Sequence, residues 1–361
     1  MKIAYIIHGL YNSAGMERIL TEKANSLAGD YAHDVTIITS EQRGRPVYFP
    51  LSPKVHVHDI GVNYHLPPFR RRLERYLMDL KPDVTISLCG GEIHKLASLR
   101  DGSVKAAELH FSHERYYFRP GKGWIHDLIA RRKTVALEKA ARTLAGFVVL
   151  TKADLDVWKD ITPSAVQIYN FIPSRPEKLA ELSSRKCICA SRLIPSKNLG
   201  EMIMAWKEVA SKHPDWTLDI YGRGNQEKKL RALITREGLE GNVLLHKPVK
   251  NISEKLLESS CYLFTSLNEG MGLALVEAAA AGLPAVSYDC KCGPSEIIED
   301  GKTGYLVKEH DVHGFAEKVC RIIEDEGLRK SMGVAAAKSS ERFSKAAIMR
   351  QWDTYLRKLA E

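Results

Sequence analysis

The sequence predicts an α/β fold of two Rossmann-like domains, and three observations carry the prediction. Short runs of Val, Ile and Leu alternate with helical patterns along almost the whole chain. The runs form two series of about six, separated by one Pro- and Ser-rich stretch. The 361 residues exceed what one ordinary core serves. Near-continuous apolar strands interleaved with helices imply parallel sheets covered on both faces.

The first series reads KIAYII (2–7), DVTIIT (34–39), VHVHDI (55–60), DVTISL (83–88), VKAAELH (104–110), FVVLT (147–151) and AVQIYN (165–170). The stretch FIPSRPEKLAELSSR (171–185) reads as an interdomain linker. The second series reads KCICASRL (186–193), TLDIYG (217–222), VLLHKP (243–248), CYLFTS (261–266), PAVSYD (284–289) and GYLV (304–307). These boundaries set domains at 1–170 and 186–344. The tail, 344–361, is a helix with Ile348, Trp352, Tyr355 and Leu356 on one side.

Hydrophobic residues make up 44% and charged residues 27%, which excludes a disordered chain. No stretch approaches the roughly 18 apolar residues of a membrane span, and the first apolar run is too short for a signal peptide. Seven cysteines, mostly in expected strands (Cys89, Cys187, Cys189, Cys261), suggest reduced, buried thiols and a cytoplasmic location. Cys187/Cys189 and Cys290/Cys292 are C-x-C pairs, not the wider spacing zinc favours, so no metal site is expected.

The net charge is +9, and the first 170 residues hold 24 Lys and Arg against 18 Asp and Glu. Arg115, Arg119, Lys122, Arg131, Arg132, Lys133, Lys139 and Arg142 lie between 115 and 142 with only Asp127 and Glu138 opposing them. A second cluster is Arg70, Arg71, Arg72 and Arg75. Such clusters are solvated helix faces or they meet an anionic partner: a bilayer, a phosphate-bearing acceptor or nucleic acid.

The most informative motif is NEGMGLALVE (268–277), directly after CYLFTS. A strand, a glycine turn and a helix N-terminus together make a phosphate site. Glu269 precedes that site, and Glu277 is expected two turns inside a helix ending at Gly282-Leu283-Pro284. Were 269–277 wholly helical, the two backbones would lie ~12 Å apart. Acid pairs that act on one glycosidic bond stand about 5–9.5 Å apart. The two glutamates therefore suit the two ends of an extended ligand. Further strand-end segments are His8-Gly9 leading to Gly15, ASRLIPSKN (190–198) with Arg192 and Lys197, YGRG (221–224) with Gly222, and Lys247-Pro248-Val249. ELHFSH (108–113) offers His110 and His113, where strand ends face a ligand crevice.

Together these segments resemble the retaining glycosyltransferases of family 4, of the bacterial surface-polysaccharide type. Glu269-x7-Glu277 with Gly270-Met271-Gly272-Leu273 matches the family's donor motif. Arg192-Leu193 and Lys197-Asn198 match its Gly-Arg-Leu-x5-Lys-Asn pattern, with Ser191 replacing the usual Gly. Ser13-Ala14-Gly15-Met16-Glu17-Arg18 matches its Gly-Gly-x-Glu-Arg loop, with Ala14 replacing the first Gly. CKCGPSEII (290–298) and DGKTGYLV (300–307) also fit the C-terminal domain. The resemblance implies a GT-B fold: an acceptor-binding domain (1–170, plus 345–361 returning to it) faces a nucleotide-sugar domain (186–344) across a cleft.

It also implies roles. Glu269 faces the sugar and Glu277 holds ribose hydroxyls. Amides at Gly270, Met271, Gly272 and Leu273 face the diphosphate, beside Gly15. Arg192 and Lys197 neutralise the leaving group, which gains charge as the bond breaks. Gly222 and Val249 lie along the nucleoside. His110, favoured over His113, contacts the sugar near its 6-position. His113, Arg115 and Tyr116 belong to the acceptor side. The donor is expected to be a UDP-sugar with no required cofactor or metal. The acceptor is a glycan or lipid-linked glycan, met at the inner face of the membrane with a peripheral contact to anionic lipid. Two rivals are a GT-B-fold epimerase or phosphorylase, and a nucleic-acid-binding α/β protein, the disfavoured partner class.

Overall fold

A computed structural model describes residues 1–118 and 123–361. Arg119 and Lys122 of the basic cluster lie outside the described residues. The chain divides into two compact units. Among the described residues, unit 1 holds Met1–Tyr117, residues 123–173 and Lys345–Glu361, and unit 2 holds Phe118 and Ser174–Ser344.

Unit 1 runs β1 (Lys2–Ile7), α1 (Gly15–Gly29), β2 (Asp34–Thr39), β3 (Val55–Asp59), α2 (Pro67–Leu80), β4 (Val84–Ser87), α3 (Ile93–Leu96), β5 (Val104–Leu109), α4 (Trp124–Ala141), β6 (Gly146–Val149), α5 (Lys152–Lys159) and β7 (Ala165–Gln167). Its seven strands form one parallel sheet in the order β3-β2-β1-β4-β5-β6-β7. Local chemistry marks the helix ends. Two prolines, which need no amide partner there, open α2, and Lys81 in the left-handed region closes it. The Thr151 hydroxyl accepts the Asp154 amide at 3.2 Å and opens α5.

Unit 2 runs β8 (Lys186–Ala190), α6 (Leu199–Lys212), β9 (Thr217–Tyr221), α7 (Glu227–Arg236), β10 (Val243–His246), α8 (Ile252–Leu257), β11 (Cys261–Phe264), α9 (Leu273–Ala280), β12 (Ala285–Tyr288), α10 (Pro294–Ile297), β13 (Gly304–Val307), α11 (Val312–Glu324) and α12 (Glu326–Ser339). Its six strands, again all parallel, follow the order β10-β9-β8-β11-β12-β13. The stretch after Pro173 is laid along this unit: Ala180 donates to the Ala281 carbonyl, and the buried Arg329 donates to the Leu182 carbonyl.

Each unit has its own apolar core. Ile6, Ile38, Phe69, Leu77, Phe147 and Trp158 anchor unit 1. Ile203, Trp206, Leu218, Val286, Phe315 and Ile322 anchor unit 2. The last helix, α13 (Lys345–Ala360), packs in unit 1 and buries Ile348, Met349, Trp352 and Leu356. His33 and Asp353 meet at 2.6 Å, and Lys345 donates to Glu22 at 2.6 Å, fixing α13 against α1 and its exit.

All seven cysteines are buried and free. Cys89 sits two residues beyond β4 with a positive φ of 54°, so it belongs to a tight turn, not to the strand expected for it.

Candidate active site

The sheet order of unit 2 reverses between β8 and β11. From β8 the chain moves outward through β9 and β10, then returns to the other side at β11. Loops leaving two such neighbours diverge, and the crevice at their carboxyl ends is where open parallel sheets bind ligands. The two informative motifs leave these two strands.

Both loops are tied down. The Tyr262 hydroxyl on β11 donates to the Ala190 carbonyl at 3.1 Å and takes the Ala190 amide at 3.2 Å, bridging to the end of β8. Thr265 donates to the carbonyls of Lys197 and Asn198 at 3.1 and 3.2 Å. The Leu267 amide donates to the Ser196 carbonyl at 2.9 Å. These bonds bring Lys197, in the short turn Pro195–Lys197, against Glu269, and the two form a largely buried ion pair. Arg192 is exposed beside them in sequence. Burial first, then Cys189, Glu277 and Glu269, push the Tyr262 hydroxyl well above the ordinary phenol range, so both glutamates bear on one buried hydroxyl.

The helix carrying Glu277 begins later than the sequence suggests. Gly272, at φ +85°, caps it in the left-handed region, and Leu273 is its first residue. Glu277 is therefore one turn inside α9, not two, and the premise of a continuous helix from 269 fails. A left-handed residue at Gly272 cannot continue a helix, and few residues other than glycine adopt it. The helical ladder starts with the Leu275 amide on the Gly272 carbonyl at 2.9 Å, and the earlier amides of the turn point outward by helix geometry. Met271 is buried, and a Cβ on Gly293 would lie 2.2 Å from its carbonyl oxygen, so the Cys-x-Cys-Gly-Pro loop supports the Met271–Gly272 turn directly.

Gly222 has a packing role. A Cβ there would stand 2.0 Å from the Ser191 carbonyl, and one on Gly224 would stand 2.2 Å from the Leu193 carbonyl. These glycines let the β9 exit lie against the Arg192 loop. That contact accounts for them without a nucleoside. Val249 lies in an exposed loop after β10.

The unit 1 candidates form a separate group. At the β5 exit, His110 Nε2 stands 3.1 Å from Glu108 Oε1. Glu108 takes Lys23 at 2.5 and 2.6 Å, both side chains being fully buried, and Lys23 caps the Trp352 ring at 3.5 Å. His113 is held structurally: its Nε2 meets Glu138 at 2.8 Å, its amide donates to Asp154, and its ring packs edge-on to Trp158. Arg115 stacks on Phe111 and donates to the Cys89 carbonyl at 3.0 Å, and Tyr116 packs on the core beside it. Gly15 is exposed as the first residue of α1. Among the described residues the one group of three metal-ligating side chains is His213, Cys320 and Glu324, on the end of α6 and on α11.

Sequence reasoning missed Thr265, Tyr262 and Lys23. Thr265 follows an apolar strand and carries no motif, and a lysine in an amphipathic helix reads as solvated until its partner is known.

Residues 172–339 match the family model described as glycosyl transferases group 1. An exopolysaccharide phosphotransferase of Streptomyces coelicolor is 36% identical over 286 residues, 78% of this chain but 29% of that protein, so the chain spans under a third of that relative. The amylovoran biosynthesis glycosyltransferase AmsD of Erwinia amylovora is 28% identical over 360 residues, covering 98% of this chain and 99% of AmsD. Staphylococcus aureus TarM, crystallised with fondaparinux, alpha-GlcNAc-glycerol and UDP, superposes with a TM-score of 0.83 at 17% identity over 100% of this chain and 99% of TarM.

Proposed function

We propose that the chain is a GT-B glycosyltransferase of polysaccharide or teichoic acid synthesis, and that it carries out a retaining transfer of a hexose or N-acetylhexosamine from a UDP-sugar to a glycan or lipid-linked acceptor; the matched family model and the similarity to AmsD and TarM support this reading. One observation carries the reading. Lys197 and Glu269 are held together at the β8/β11 reversal, in front of the α9 N-terminus. A paired cation and carboxylate beside free helix amides suit a ligand with a diphosphate at one end and hydroxyls at the other.

In this reading Lys197 and the exposed Arg192 neutralise the departing UDP, and the α9 amides of Gly272 and Leu273 hold its phosphates. Glu269 accepts hydroxyl protons from the sugar, and Glu277 accepts them from the ribose. Attack and departure share one face of the sugar, so the acceptor hydroxyl gives its proton to the leaving phosphate oxygen and the anomeric configuration is kept. TarM's crystal partners, UDP and an alpha-linked GlcNAc, support a UDP donor and retention. His110 is assigned to a sugar hydroxyl, with Glu108 fixing its ring.

The test is incubation with UDP-Glc, UDP-Gal, UDP-GlcNAc and UDP-GalNAc, each with and without a lipid-linked glycan, followed by NMR of the anomeric proton. An α-linked product formed only with acceptor supports the proposal. A β-linked product overturns retention. Conversion of donor alone to an epimer replaces the proposal with the epimerase reading.

A further inference from the structure

Helices α6 and α11 lie side by side over the unit 2 core, with Trp206 and Val209 of the one and Phe315, Val319 and Ile322 of the other buried in it. They run in the same direction. Glu208 meets His313 at 2.7 Å near the start of α11, and His213 meets Glu324 at 2.8 Å at its end. Cys320 and Glu324 stand four residues apart and so share one face of α11, one turn apart. His213 arrives from the residue that ends α6, its amide on the Val209 carbonyl and its carbonyl taking the Trp216 amide. The imidazole nitrogen, thiol sulfur and carboxylate oxygen of these three residues lie within 4.8 Å of one another.

We propose that His213, Cys320 and Glu324 form a binding site for one zinc ion, which clasps the ends of α6 and α11. A zinc ion bound about 2.0–2.3 Å from each donor holds such donors about 3.3–3.6 Å apart. The exposed Glu324 and the partly exposed His213 can close that difference by side-chain rotation. The field at this place also favours a cation. Two helix C-termini converge here, each with partial negative charge, and Glu324 adds a carboxylate where the dipole disfavours one. Asp325, not Glu324, caps the next helix. Lys212 in the last turn of α6 answers part of the charge, but an ammonium offers a thiol no bond. The donor set selects the metal. A thiolate with an imidazole suits zinc, while magnesium and calcium take oxygen shells. On binding, the Cys320 thiol gives its proton to solvent and its sulfur to the metal, and the His213–Glu324 hydrogen bond is exchanged for two metal bonds. Water fills the fourth position. The C-x-C cysteines take no part. The 14 residues of α6 put about 20 Å between this site and the Lys197 turn at the other end of the helix, so the metal holds the fold and stands apart from the transfer chemistry. The donor site and the zinc site can each fail alone.

The test uses full-length protein stripped with a chelator and kept reduced. Titration with Co2+ should give tetrahedral cobalt absorption with a thiolate-to-cobalt charge-transfer band, saturating at one ion per chain. Zn2+ should displace it, and Mg2+ and Ca2+ should not. Zn2+ at about 100 times its dissociation constant should raise the melting temperature by about 5–10 °C. Cys320→Ser should lose the charge-transfer band. His213→Gln and Glu324→Gln, at the surface, should keep the metal-free melting temperature and weaken Zn2+ more than about tenfold. No charge-transfer band in the native protein would leave only a surface ion pair and overturn the proposal. So would a band that survives Cys320→Ser but disappears in Cys290→Ser with Cys292→Ser, or Zn2+ stabilisation undiminished in His213→Gln and Glu324→Gln.

Discussion

The Lys197–Glu269 pair allows structure and chemistry to be separated in one set of variants. Both side chains keep only about a tenth of their surface (12% and 11%), so removing either strands its partner in a poorly solvated place. Breaking a fully buried pair costs about 3–5 kcal/mol, and the remaining solvent access reduces that here to about 2 kcal/mol. Lys197→Met and Glu269→Gln should each lose about that much in urea unfolding. The double variant leaves no orphaned charge and should return to within about 1 kcal/mol of wild type. Turnover should behave differently. If Lys197 stabilises the leaving diphosphate, Lys197→Met should lower kcat by about 10²–10³, as for loss of one transition-state donor. The same further loss should appear when Glu269 is already Gln. Sugar-nucleotide consumption in all four proteins gives the cycle. If Lys197→Met costs nothing further in the Glu269→Gln background, Lys197 is only the counter-ion of Glu269 and the leaving-group role is refuted.

Three further outcomes follow. Gly293→Ala combines a φ of 106° with a Cβ 2.2 Å from the Met271 carbonyl, so it should cost at least about 2 kcal/mol and weaken UDP binding, read by melting and calorimetry. Burial alone would raise the Glu108 carboxyl, but Lys23 and His110 outweigh it and hold it at about 2. A depressed acid stabilises the fold above its unfolded pKa, so that contribution, about 3 kcal/mol, should be lost as pH falls from about 4.5 towards 2; acid unfolding of Lys23→Met with Glu108→Gln should lack this loss. Ellman's reagent should leave the native thiols nearly unreactive and titrate all seven in denaturant, because every cysteine is buried.

Most of the fold was legible because parallel strands advertise themselves. Every run read as a strand contains one, and the residual errors are at the ends: DVTISL shortens to Val84–Ser87 because Cys89 turns left-handed, and VKAAELH stops before His110. The first series holds seven strands and the second six. The α13 stripe was legible too, except that Met349 joins it. At the candidate site, the pairing of Lys197 with Glu269 was not readable from either motif. It depends on β8 and β11 being neighbours, a fact of sheet order that spacing within one segment does not encode. The start of α9 was misplaced because helical periodicity does not reveal a positive φ at Gly272. The contact of Gly222 with the Ser191 carbonyl was not readable, because a glycine needed for a ligand and one needed for a neighbouring carbonyl look the same in sequence. Lys23 was invisible because its burial depends on Glu108, 85 residues away, and on Trp352 of the returning helix.

The most direct test of the donor site is calorimetric titration of UDP into wild type, Glu277→Ala and Lys197→Met. Binding by wild type that weakens tenfold or more in both variants, each still folded, is the predicted result. No UDP binding by wild type, or undiminished binding by both variants, would contradict a donor site at the β8/β11 reversal.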